Sequence, residues 1–153
     1  MGPAIGSESS YRVTTTLREA VTDTPAQTEA LGEQLGGRLR QGDLVLLQGE
    51  LGAGKTTFVR GVARGCGSGA QVTSPSFQLV RVYPGRLQLA HVDLYRLESS
   101  AELRDLGLDE LLDQGAVVVE WGERLGSADA ALISIEHLGH DRRRLRTERD
   151  LDR

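Results

Sequence analysis

A short apolar run, Asp43 to Gln48, leads straight into Gly49, Glu50, Leu51, Gly52, Ala53, Gly54, Lys55 and Thr56. These residues satisfy the phosphate-loop pattern G-x-x-x-x-G-K-[ST] in full. The preceding run suits a strand buried on both faces, as in a parallel sheet. The residues after it, Thr56 to Arg64, carry Phe58 and Val62 at helical spacing, with Gly65 as the expected C-terminal stop. Strand, glycine-rich loop and helix stand in the order that a phosphate-binding unit requires. Lys55 is also the chain's one lysine, every other long basic side chain being arginine.

Each residue type in the loop has a chemical reason. Glycines let main-chain N–H groups turn inward and approach phosphate oxygens with no Cβ in the way. They lead into a helix N-terminus, whose unpaired N–H groups and dipole favour an anion. The Lys55 ammonium suits the β- and γ-phosphates, and the Thr56 hydroxyl suits one position around Mg²⁺. Thr57 stands next in line for the α-phosphate.

The flanking sequence supplies a sheet and helices to hold this unit. Residues 1–10 read as a disordered leader, and 11–146 as one P-loop domain. Tyr11 to Leu17 suits a strand at a sheet edge. Thr24, Pro25 and Gln27 form a capping-box signal, and Leu31, Leu35 and Leu39 then recur every four residues up to a stop near Gln41 and Gly42. Phe77 to Tyr83 and Leu87 to Asp93 flank a Pro-Gly turn and suggest a hairpin. Ser99 to Leu112 has helical spacing broken at Gly107; Ala116 to Glu120 suits a second buried strand; Leu132 to His137 alternates as a late strand. After Gly139, six arginines among four acids suggest an exposed tail, with 147–153 mobile.

Composition narrows the partners. Net charge is −4 with a pI near 5.4, which argues against binding nucleic acid unaided. No apolar run has the length of a membrane span, and the start has no signal-peptide core, so a cytoplasmic location is expected. Cys66 is alone, and His91, His137 and His140 lack metal-ligand spacing.

A phosphate loop needs an acid at a neighbouring strand end to hold Mg²⁺ or its waters. Asp93 and Glu120 are the candidates. The run before Glu120 is the more deeply apolar, so Glu120 takes the metal role and Asp93 the orienting of water or sensing of the γ-phosphate. The bland alternative is that one acid caps a strand or pairs with Arg96. The base is read as adenine, since the guanine-reading motif needs a second lysine. Thr73, Ser74, Pro75 and Ser76 form a polar turn whose hydroxyls could reach the γ-phosphate, or simply enter a strand. Trp121 reads first as a packing residue. One arginine of Arg142 to Arg146 could clamp a phosphate or stack on adenine.

Taken together, the loop through Phe58, the segment Thr73 to Phe77, the segment His91 to Leu97 (His-Val-Asp-Leu-Tyr-Arg-Leu) and Val119-Glu120-Trp121 resemble one family over about Pro25 to Arg146. That family is the small bacterial P-loop ATPase TsaE, also called YjeE, which takes part in making threonylcarbamoyladenosine in tRNA. The resemblance implies an α/β, three-layer P-loop fold with a parallel core sheet and antiparallel strands at its margins. It implies ATP and Mg²⁺ at the loop, with Thr56 and Glu120 on the metal side and Asp93 as the functionally required aspartate. It further implies Trp121 beside the site, and outer nucleotide contacts around Thr28, Leu31 and Gly32 and at Arg142. Ser76 stands where threonine is usual, keeping the hydroxyl, and Gly122 stands where proline is frequent. The implied partner is a TsaB–TsaD complex, through which tRNA is met indirectly, with hydrolysis resetting that complex.

Two rivals stay open on the residues. A small-molecule kinase would use the same loop but needs an acceptor pocket and an arginine-bearing lid, for which only Arg142 to Arg146 could serve. A nucleotide-dependent binding module would keep the loop without useful turnover. The chain has no unambiguous arginine finger, so slow hydrolysis accelerated by a partner is the expected behaviour.

Overall fold

A computed structural model describes residues 18–50, 54–69, 80–93, 107–120 and 130–151. The chain runs β1 (Arg18–Thr22), α1 (Pro25–Arg38), β2 (Leu44–Gln48), α2 (Lys55–Gly65), β3 (Val80–Tyr83), β4 (Gln88–Asp93), α3 (Leu108–Gln114), β5 (Gly115–Glu120), β6 (Ala131–Gly139) and β7 (Arg142–Arg149).

These strands form one sheet in the order β1-β7-β6-β2-β5-β4-β3. The four inner strands β6, β2, β5 and β4 are parallel. β3 adds antiparallel at one margin, and β7 and β1 at the other. Continuous apolar character marks the centre: Val45, Leu46 and Leu47 in β2 and Val117, Val118 and Val119 in β5 are at most 1% exposed. Strands covered on both faces read this way because neither face meets water.

Alternation along those strands feeds two cores. Val45, Leu47, Leu89, Ala116 and Val118 pack with Leu35 of α1 and Phe58, Val59 and Val62 of α2. Leu46, Ala90, Val92, Val117 and Val119 pack on the other face with Leu108 of α3. Helices on both faces give the three layers expected from the resemblance.

α1 starts as its sequence signals. Thr24 accepts from the Gln27 amide at 3.1 Å, Pro25 opens the helix, and the Gln27 side chain accepts from the Asp23 amide at 2.7 Å. Its packing on α2 follows glycines as much as leucines. A Cβ added at Gly32 would lie 2.2 Å from the Phe58 carbonyl oxygen, at Gly36 2.2 Å from that of Val62, and at Gly61 1.9 Å from that of Glu29. The two helices therefore touch backbone to backbone. Gly65, expected as a stop, is the last helical residue and is needed because a Cβ there would meet the Glu33 carbonyl at 2.2 Å. The left-handed residue beyond the helix is Gly67, φ +88°.

The β3–β4 turn locks the far ends of both helices. Arg86 donates to the Gly36 carbonyl at 3.3 Å and the Gly65 carbonyl at 3.2 Å, and the Leu87 amide donates to Cys66 at 3.1 Å. Such contacts satisfy carbonyls that a helix end leaves without partners.

One expected segment lies outside the described residues, and another differs from the sequence reading. The strand expected over Tyr11 to Leu17 lies outside the described residues, and the edge strand is Arg18–Thr22 directly after it. The arginine-rich segment is a strand: β7 runs past residue 146 to Arg149, and Leu151 is buried in the core. Leu145 anchors that strand inward. Its arginines pair laterally, Arg146 with Glu19 at 2.6 Å and Arg144 with Glu136 at 2.9 Å. Lateral pairing lets a sequence that looks like a solvated tail cover a sheet margin.

Candidate nucleotide site

Everything in the site hangs on the carboxyl ends of β2, β5 and β4. Leu47 is the register partner of Glu120, and Glu120 of Asp93. All three follow the alternation that faces α1 and α2, so both acids lie on the side of the sheet where α2 begins. The crevice beyond the strand ends of an open parallel sheet is where such folds take ligands.

Gly54 makes the join between loop and helix. Its φ of +103° is left-handed, a conformation suited to glycine, and it is the N-cap of α2. The Phe58 amide closes the first helical turn on the Gly54 carbonyl at 3.0 Å. Lys55 is 5% exposed, and its ammonium donates to the Gly49 carbonyl at 2.7 Å. The sole lysine thus bridges the two ends of the loop. Thr56 and Thr57 follow in the first turn, both partly exposed. Amides of that turn have no acceptor within the helix and point along its axis.

Glu120 is 5% exposed and its Oε2 is hydrogen-bonded to His91 Nε2. Asp93, beside it, is more open. In the sequence, His91 lacks metal-ligand spacing and shows no role of its own. The available signal was its place two residues before Asp93 on one strand, hence on the same face.

Among the described residues, Arg143 lies against the loop end. Its Nε lies 3.0 Å from where a Cβ on Gly54 would sit, so the side chain crosses the bare α-carbon of the loop. Arg143 also donates to the carbonyls of His140 and Arg142, at 2.9 and 3.1 Å. Arg142 turns outward and pairs with Asp23 at 3.2 Å. Thr28 is 1% exposed, and its hydroxyl shares a 2.7 Å hydrogen bond with that of Thr22, tying α1 to β1. Gly49, Glu50, Gly54, Lys55, Thr56, Thr57, Asp93 and Glu120 thus lie at the carboxyl ends of the inner strands and the start of α2, while Leu51, Gly52, Ala53, Ser76 and Trp121 lie outside the described residues.

The sheet order, with a phosphate-loop unit at its centre and two acids on the neighbouring strand ends, defines an α/β protein of the P-loop class. Residues 22–147 match the family model described as threonylcarbamoyl adenosine biosynthesis protein TsaE, and the chain belongs to that family. It is 47% identical over 123 residues to the tRNA threonylcarbamoyladenosine biosynthesis protein TsaE of Streptomyces coelicolor, covering 78% of this chain and 77% of the relative. The Bacillus subtilis protein of the same name is 39% identical over 129 residues, covering 81% and 80%. The crystal structure of YdiB from Bacillus subtilis superposes with a TM-score of 0.72 at 30% identity, covering 89% of this chain and 87% of that one.

Proposed function

We propose that this protein binds and slowly hydrolyses ATP with Mg²⁺, and that it serves threonylcarbamoyladenosine modification of tRNA by acting on a TsaB–TsaD-type complex. One observation carries the nucleotide part: a phosphate-loop sequence with its lysine bonded across the loop to Gly49 stands beside two acids in register. Family membership supports the pathway part.

Within this reading the loop amides and Lys55 hold the phosphates. Arg143, which lies over Gly54, is better placed than Arg142 to add a second cation beside them. Thr56 and Glu120 offer hard oxygen donors, the type Mg²⁺ takes together with phosphate and water oxygens. When bound, the ion neutralises charge on the β- and γ-phosphates. Asp93, half-buried and one strand away from the buried acid, orients the attacking water. A net charge of −4 fits a protein that reaches tRNA through a partner.

Phosphate release from ATP tests the reading. Slow release by the protein alone, accelerated by the partner complex and lost in Lys55→Ala, is the expected result. Silence with ATP until a small-molecule acceptor is added would point to a kinase instead. Equal turnover with and without the partner complex would remove the proposed regulation.

A further inference from the structure

We infer that His91 is a positioning residue for the site: it fixes the Glu120 carboxylate with Oε2 held inward, so that Oε1 is the oxygen turned to the cation. The inference rests on the reading of Glu120 as the metal-side acid.

The geometry is a diagonal pair across two parallel strands. His91 is the register partner of Val118, and Glu120 lies two residues further along the same face. Diagonal neighbours on one sheet face are within reach of long side chains. A carboxylate accepts hydrogen bonds and does not donate them, so His91 Nε2 carries the hydrogen and donates to Glu120 Oε2. His91 is fully buried, on the face of Leu89 and Val118, with the Tyr83 ring 6.4 Å away between centroids.

Its other nitrogen, Nδ1, is buried and has no hydrogen-bond partner among the described residues. An orphaned polar atom costs stability, and leucine or phenylalanine would fill such an apolar position without that cost. The bond to Glu120 is what the imidazole provides and a hydrocarbon cannot. A buried carboxylate needs such a donor. A carboxylate held by one oxygen also loses rotamer freedom before any ion arrives. Outer partners of this kind are worth roughly 10- to 100-fold in metal affinity where they have been removed from metal sites.

The test is Mn²⁺ affinity by electron paramagnetic resonance, with the protein saturated by a non-hydrolysable ATP analogue. His91→Leu should weaken Mn²⁺ roughly tenfold or more. His91→Gln, which keeps an N–H donor, should recover part of the loss. Analogue affinity in EDTA should stay unchanged in both. Weakened Mn²⁺ in Glu120→Ala with unchanged Mn²⁺ in His91→Leu would overturn the positioning role alone. Unchanged Mn²⁺ in Glu120→Ala would overturn the assignment of Glu120 beneath it. If His91→Leu does not fold, the wild-type imidazole spectrum decides: the Nε2 resonance should shift when Mg²⁺ joins the protein–analogue complex, and an unmoved resonance contradicts the inference.

Discussion

Asp93 and Glu120 are register partners at the ends of two adjacent parallel strands, yet Asp93 is half-buried while Glu120 is buried and hydrogen-bonded to His91. Two carboxylates side by side in such different surroundings suit different tasks. The buried one suits a resident ion; the more exposed one suits a group that meets solvent.

Separating them by mutation follows. Asp93→Asn should lower the rate of ATP hydrolysis by about 100-fold or more, the scale of a lost proton-handling group, with Mg²⁺-ATP affinity changed little. Glu120→Gln should instead raise the Mg²⁺ concentration needed for half-maximal turnover. Steady-state kinetics over a Mg²⁺ series checks both. Identical Mg²⁺ profiles for the two variants would refute the division.

The contact between α1 and α2 predicts opposite effects for two glycines. At Gly61 a Cβ would lie 1.9 Å from the Glu29 carbonyl oxygen, so Gly61→Ala must push the helices apart and should cost about 2–4 kcal/mol, beyond ordinary overpacking. At Gly37 an added Cβ meets nothing within 4 Å among the described residues, and Gly37→Ala within the same helix pair should stabilise by about 0.5–1 kcal/mol. Urea unfolding midpoints give both values, and a neutral Gly61→Ala would contradict the close packing.

Much of this architecture is legible in the sequence. β2 and β5 announce themselves by continuous Val and Leu, and α1 by Thr24, Pro25 and Gln27. Local chemistry and tertiary structure agree at those points. The sequence misleads where a residue acts through a distant partner. Gly65 looks like a helix stop, but its reason is the Glu33 carbonyl on another helix. Arg142 to Arg149 look solvated because their acids, Glu19 and Glu136, come from strands far away in the chain or across a turn. His91 looks idle until β4 and β5 are aligned. Arg143 and Arg142 cannot be told apart until strand alternation sends one over Gly54 and the other outward.

Burial pushes the Cys66 thiol up to about 11 from an ordinary 9.0, with the Arg86 charge working the other way. The folded chain therefore keeps a proton that the unfolded chain releases between those values. Stability from this group is intact below pH 9 and is lost as pH rises towards 11. Cys66→Ala should lose less stability between pH 8 and pH 10.5 than the wild type, measured as the change in urea midpoint. An equal loss in both proteins would contradict it.

Thr24 caps α1 through the Gln27 amide. Thr24→Ala should cost about 1 kcal/mol, whereas Thr24→Ser, which keeps the acceptor oxygen, should cost far less. Thermal melts of the two variants side by side measure the difference.

Titration calorimetry of magnesium-ATP into the wild type and Lys55→Ala bears most directly on the central claim, that this loop grips a triphosphate through its one ammonium. Saturable binding by the wild type, weakened at least tenfold in the variant (about 1.4 kcal/mol), is the predicted result. Equal binding by the two proteins, or no binding by a well-folded wild type, would contradict it.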